Sequence, residues 1–240
     1  MEQVFLLGLL TLAASAVGTA TGFGTSTVMV PVMTLFVPMP VVLLFVGVIH
    51  LFGDVWKVLL FKRGFDWRLI IAFGAAGIAA SYVGASLSLR VDSLPLKRIL
   101  GGFLVGYVAF ILLRPQWRLP KTTPTAVSGG LLSGLFAGFF GVGGAVRGAF
   151  LAAFDLPKAV YIFTSGMIAL FIDVTRVSRY FAGGTRLPGD LLAALAVSIP
   201  ISFAGAWLAK HLVERVPQEF FRRFIGVFLA LVGAKLLIWG

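Results

Sequence analysis

The chain has 240 residues, 59% of them hydrophobic and 12% charged, with a mean hydropathy of +1.02. Soluble domains carry about twice that charged fraction and disordered chains need low hydrophobicity, so both classes are excluded. The lack of cysteine removes disulfide scaffolds, thiolate-ligated metals and thiol nucleophiles. The sequence reads as an integral membrane protein.

In chain order, the first apolar stretch covers residues 3–37. It is too long for one span of about 20 residues, and Gly18, Gly22 and Gly24 interrupt it, with Pro31 beyond. Its start resembles a signal-peptide core, and Ala14-Ser15-Ala16 has the look of a cleavage site. No positive n-region precedes it and the apolar character continues, so it reads as a retained helix. Runs at 41–61, 69–89 and 97–113 follow, each bounded by Pro, Gly or charge. A polar linker, Trp117 to Pro124, leads into a second interrupted stretch, 126–154, broken by Gly138, Gly141, Gly143 and Gly144. Too few residues remain on either side of that break for a full crossing. Two half-helices meeting at a glycine turn inside the bilayer are predicted. Runs at 157–181, 190–209 and 219–239 complete the chain.

The chain is duplicated. Leu51-Phe52-Gly53-Asp54-Val55-Trp56-Lys57-Val58 aligns with Leu170-Phe171-Ile172-Asp173-Val174-Thr175-Arg176-Val177 at an offset of 119. The same offset places Gly22 on Gly141, Gly24 on Gly143 and Thr25 on Gly144. The halves are 1–118 and 122–240. One hairpin plus three spans per half gives an odd number of crossings and hence inverted repeats. The 20 basic residues outnumber 9 acids, for a net charge of +11, and their placement arbitrates. The inverted arrangement puts Lys62, Arg63, Arg68, Arg114, Arg118, Lys121, Lys158, Lys210, Arg215, Arg222 and Arg223 on the cytoplasmic face. It leaves Arg90, Lys97, Arg98 and Arg186 opposite, with Arg176 and Arg179 near them. Parallel repeats would split the charge almost evenly. The expected fold is an all-α polytopic membrane protein of two inverted repeats, each a broken, re-entrant helical hairpin plus three transmembrane helices. It is expected in the cell (plasma or inner) membrane as a multi-pass protein. The basic gaps face anionic lipid rather than nucleic acid.

Inverted-repeat folds with broken helices hold substrate near the midplane, where half-helix ends meet. Gly22-Phe23-Gly24-Thr25-Ser26-Thr27 and Gly141-Val142-Gly143-Gly144 each precede an apolar half-helix. Free N–H groups and the positive dipole end favour an anion there, and the hydroxyls of Thr25, Ser26 and Thr27 add donors. Packing of helices through small residues is the other reading of those glycines. Arg147, one turn beyond Gly144 in an apolar stretch, has no acid nearby in sequence. A charge at such depth is by default functional, and a guanidinium suits an oxyanion. Snorkelling to a headgroup, or pairing with Asp54 or Asp173, is the alternative. Asp54–Lys57 and Asp173–Arg176 are i,i+3 pairs, expected to close the ends of the cavity as gating or structural ion pairs, with a proton relay through either Asp as a further reading. His50, one turn before Asp54, is a substrate-contacting, pH-responsive or quietly hydrogen-bonded residue. Thr164 and Ser165 offer hydroxyls. Motifs for hydrolysis, nucleotide binding or zinc are absent, and two histidines far apart argue against a metal. Neither enzyme activity nor a cofactor is expected. The partners expected are a small anionic substrate and lipid, with H+ a candidate coupling ion.

These motifs carry a family resemblance. Gly18-x-x-x-Gly22-Phe23-Gly24, Gly138-Phe139-Phe140-Gly141-Val142-Gly143-Gly144, Arg63-Gly64-Phe65-Asp66-Trp67 and Thr164-Ser165 together resemble the TauE/SafE membrane permeases over nearly the whole chain. The resemblance implies a small polytopic exporter or permease for sulfite, sulfonates and related anions, working without ATP hydrolysis. The sequence departs from the family pattern at Thr25, Arg147, Phe150 and His50. A secondary transporter working by alternating access is the expectation, with a passive small-anion channel as the alternative.

Overall fold

A computed structural model describes residues 2–21, 24–61, 64–114, 117–212 and 218–239. All regular structure among them is α-helical. The first half supplies α1 (Glu2–Thr21), α2 (Ser26–Met33), α3 (Met39–Leu60), α4 (Trp67–Ser88) and α5 (Ser93–Leu113). The second supplies α6 (Thr123–Phe140), α7 (Gly143–Ala153), α8 (Lys158–Ala182), α9 (Gly189–Leu212) and α10 (Gln218–Trp239). Helices α1, α3, α4, α5, α8 and α9 are long and apolar enough to cross a membrane. Large apolar side chains such as Phe36, Ile71, Ile99, Leu131 and Leu231 lie exposed, which suits lipid rather than water.

Side-chain neighbours give the helix directions. Along α3 and α8, Gly47 packs on Val177, His50 on Asp173, and Lys57 on Gly166, so numbers fall on one helix as they rise on the other. Along α5 and α10, Gly101 meets Leu237, Leu104 meets Gly233, and Val108 meets Gly226. Both pairs are antiparallel, and each joins a helix to its own equivalent in the other half. Equivalent helices running in opposite directions are what inverted repeats require. By contrast α4 and α6 run parallel, with Phe73, Gly77 and Ser81 beside Gly130, Gly134 and Gly138. A Cβ on any of those three α6 glycines would strike a carbonyl of α4. This close backbone approach is the small-residue packing of membrane helices.

The interrupted stretches differ in shape from the prediction. Two half-helices meeting at a glycine turn were expected, and the two arms are of unequal length: 18 residues in α6 against 11 in α7, and 20 in α1 against 8 in α2. The long arm is favoured because its small residues pack along a full neighbouring helix, α6 on α4 and α1 on α9. The short arm ends where the chain must return. Re-entry itself holds for the second hairpin. The Leu119 N–H donates to the Ala153 carbonyl at 3.2 Å, and Arg118 pairs with Asp155 at 3.4 Å, so the hairpin leaves and rejoins the same face.

Candidate functional site

The polar interior is built where α3 and α8 cross. Asp54 and Lys57 pair at 2.8 Å, one turn apart on α3, and Asp173 and Arg176 pair at 2.7 Å on α8. These pairs were expected to close the ends of a cavity. They lie instead side by side in the middle of the bundle, joined by His50, because antiparallel equivalents bring repeated residues together at the crossing. His50 Nδ1 bonds Asp173 across the repeat boundary and lies 3.1 Å from Asp54 Oδ2. All five side chains are buried, none more than 3% exposed, and a buried charge is tolerated only when it is paired in this way. His50, Asp54 and Asp173 bring ligand atoms within 4.8 Å of one another, a spacing a small cation could use. Each carboxylate already carries its own cation, however, so the cluster lacks the surplus negative charge a divalent ion requires.

The two glycine turns flank this cluster. Gly24 and Gly141 both have left-handed backbone, with φ of +81° and +77°, a conformation glycine adopts without strain. Each is followed by the N-cap of a short helix, Thr25 for α2 and Val142 for α7, and neither cap residue supplies a side-chain bond. Part of each first turn is satisfied by tight backbone bonds: the Thr27 and Val28 N–H groups donate to the Gly24 and Thr25 carbonyls at 3.3 and 3.2 Å, and the Ala145 N–H donates to the Val142 carbonyl at 3.3 Å. This symmetry corrects the alignment of the halves. At the turns Gly24 matches Gly141, an offset of 117 rather than 119, because α7 is longer than α2 and restores the register before α8.

At the first turn, a Cβ on Gly24 would overlie His50 Nε2. Thr25, Ser26 and Thr27 are all buried, and Thr25 Oγ1 donates to Ser15 Oγ at 3.4 Å. Gly22 and Phe23 lie outside the described residues. At the second turn, Arg176 Nη1 reaches the Ala137 carbonyl at 3.5 Å, and the Tyr180 hydroxyl donates to the Gly138 carbonyl at 2.5 Å. The Ala137 carbonyl also accepts the capping Gly141 N–H at 3.0 Å, so Arg176 adds a second bond to it while Tyr180 bonds the next carbonyl of the last turn of α6. Tyr180 was not anticipated, although its position one turn beyond Arg176 on the same face of α8 was the available signal. Gly143 turns toward α6, where a Cβ would meet Ala137 and the Ser133 carbonyl, and Ser133 Oγ donates to the Gly143 carbonyl at 3.0 Å. Gly144 and Val142 are buried beside it.

Arg147 stands apart from the cluster. It is 1% exposed, and its Nε donates to Ser165 Oγ at 3.0 Å. Its Nη2 has no hydrogen-bond partner. No carboxylate among the described residues pairs with it, so it joins neither Asp54 nor Asp173. Ser165 is seven residues into α8, which puts the guanidinium about 10 Å inside the end of that helix. Thr164 does not face this space: its Oγ1 accepts the Asp66 N–H at 3.2 Å, tying α8 to the loop before α4.

A cavity of about 440 Å3 opens at the opposite end of the α3–α8 crossing, lined by Leu44, Val48, Val177, Ser178 and Arg186 among others. Val177, which lines it, follows Arg176 directly in sequence. The arrangement thus presents a buried guanidinium and a buried imidazole, each with one nitrogen that has no hydrogen-bond partner among the described residues. The sequence matches the family described as Sulfite exporter TauE/SafE over residues 7–236. No curated relative matches it significantly.

Proposed function

The chain belongs to the sulfite exporter TauE/SafE family of membrane transporters, and on that premise we propose that it is a secondary transporter moving a small sulfur-containing or carboxylate anion, such as sulfite or a sulfonate, across the cell membrane by alternating access. Arg147 carries this reading. An ionised guanidinium, buried and with one nitrogen unpartnered, is costly in a membrane interior by at least about 2.5–3.5 kcal/mol. A bound oxyanion offsets that cost through charge-assisted hydrogen bonds, and Ser165 orients the guanidinium toward it. The starts of α2 and α7, which carry no side-chain cap, add the positive ends of two helix dipoles within the same bundle. Burial of Arg147, His50, Thr25 and Ser26 at about 1% exposure each favours an occluded carrier over a continuously open pore.

Reconstitution in proteoliposomes tests this. Labelled sulfite or sulfonate should enter with saturation and show counterflow. Arg147→Met should lower kcat/KM by roughly 10–100-fold, the effect of losing a hydrogen bond to a charged group, while the ligand-free melting temperature holds or rises. Arg147→Lys should recover only part of the activity, since an ammonium cannot make the bidentate contact. Flux linear in concentration without counterflow would mark a passive channel instead.

A further inference from the structure

We propose that His50 is the proton-binding site through which anion loading is coupled to proton uptake. This rests on the anion-carrier reading above. The tautomer follows from the geometry. Nδ1 faces two carboxylate oxygens, Asp173 Oδ2 and Asp54 Oδ2, so Nδ1 must carry the hydrogen. In the neutral imidazole Nε2 is then a bare lone pair. That atom is buried, has no hydrogen-bond partner among the described residues, and points at the first glycine turn, where Gly24 leaves it room. An unpartnered basic nitrogen beside two carboxylates is placed to take a proton.

The surrounding charges make that proton count. Facing His50 are Asp54 and Lys57 from α3 and Asp173 and Arg176 from α8, with Tyr180 touching Arg176 from the next turn. The first glycine turn brings Gly24 and Thr25, which carry no charge. The two ion pairs cancel, so the cluster is neutral with neutral His50 and carries one positive charge when His50 is protonated. Among the described residues Arg147 is the other buried cation without a carboxylate partner. An anion entering this low-dielectric interior favours the protonated state of His50, and by linkage the proton favours the anion by the same factor. One proton and one monoanion together load no net charge. Because His50 joins α3 to α8, the proton sits on the contact between the two repeats that alternating access must move.

Calorimetric titration with methanesulfonate is the test, since that anion stays ionised and takes up no proton itself. Purified protein is titrated near pH 8 in sulfonate-free amine buffers of different ionisation enthalpy, and the buffer dependence of the heat gives the protons taken up. We expect uptake approaching about one proton per anion, retained in His211→Gln and abolished in His50→Gln, whose affinity becomes weaker and independent of pH. Binding without proton uptake in the wild type overturns the coupling while leaving the transport reading standing. Uptake that persists in His50→Gln overturns the assignment to His50. Absence of both saturable binding and vesicle transport overturns the transport reading and this inference with it. The wild-type buffer series needs no variant, so poor folding of His50→Gln leaves the proposal open to refutation.

Discussion

Gly24 and Gly143 look interchangeable in the sequence, and their surroundings separate them. At Gly24 the backbone is left-handed and the missing side chain makes room for His50. At Gly143 the missing side chain makes room for α6. Gly143→Ala should therefore act mainly on stability, lowering the ligand-free melting temperature through overpacking worth about 1–3 kcal/mol. Gly24→Ala adds backbone strain of about 1–3 kcal/mol and also displaces the imidazole, so it should lose most of the stabilisation by methanesulfonate. Thermal melts of both variants with and without the anion make the comparison, and equal loss of the anion effect in both would mean the turns do not differ in this way. Their positions within apolar stretches already marked these glycines and Arg147 as unusual in the sequence. The meeting of His50 with Asp173 was not legible. The duplication displayed Asp54 and Asp173 as separate copies of one feature, and only the antiparallel crossing of α3 and α8 makes them neighbours around one imidazole.

The loop motif Gly64-Phe65-Asp66-Trp67 has a structural explanation. Gly64 takes a φ of +91°, which turns the chain out of α3. Asp66 then caps α4, accepting the Leu69 N–H at 3.1 Å, and pairs with Lys121 of the linker at 2.5 Å. Phe65 packs on Trp67 and on Phe163 of α8. The motif thus ties the first half, the linker and the second half at one face. Burial alone would raise the Asp66 carboxyl, but the Lys121 ammonium and the Leu69 N–H outweigh it and hold the group below its usual value. A carboxyl lowered on folding stabilises the folded state above the unfolded pKa of about 3.9. That stabilisation is lost as pH falls from there through the folded value. Asp66→Ala should cost about 1 kcal/mol as a lost cap, and Asp66→Asn should retain the cap but remove the titration. The difference in melting temperature between wild type and Asp66→Asn should shrink as pH drops below about 4; a difference unchanged from pH 6 to pH 3 would contradict the ion pair. Six long helices, α3, α4, α5, α8, α9 and α10, were legible as runs, because span length and apolar content are properties of the sequence. The unequal hairpin arms were not, since packing against α9 and α4 sets where α1 and α6 stop.

At the scale of the whole molecule the contacts sort the loops into two faces. Asp66, Lys121, the start of α8 and the end of α7 share one, through Asp66–Lys121, Asp66–Thr164 and Leu119–Ala153. Leu89 packs on Gly183 at the other. Basic loop charge predicts the first face to be cytoplasmic, and the antiparallel α3–α8 and α5–α10 pairs demand that equivalent loops of the two halves lie on opposite sides. The cysteine-free background allows a direct test with single cysteines. Arg68 and Thr122 are exposed on the first face, and Asp92 and Gly189 are exposed on the second, where Gly189 has open space around it and no left-handed strain. An impermeant thiol reagent added outside intact cells should label Asp92→Cys and Gly189→Cys but reach Arg68→Cys and Thr122→Cys only after permeabilisation. The geometry makes the pairing stricter than the charge rule does. Thr122 and Asp92 flank a chain segment that crosses once, as α5, so labelling of both from the same side cannot be reconciled with α5 as a span. It would remove the inverted relationship, and with it the reason for His50 to lie between carboxylates from opposite halves.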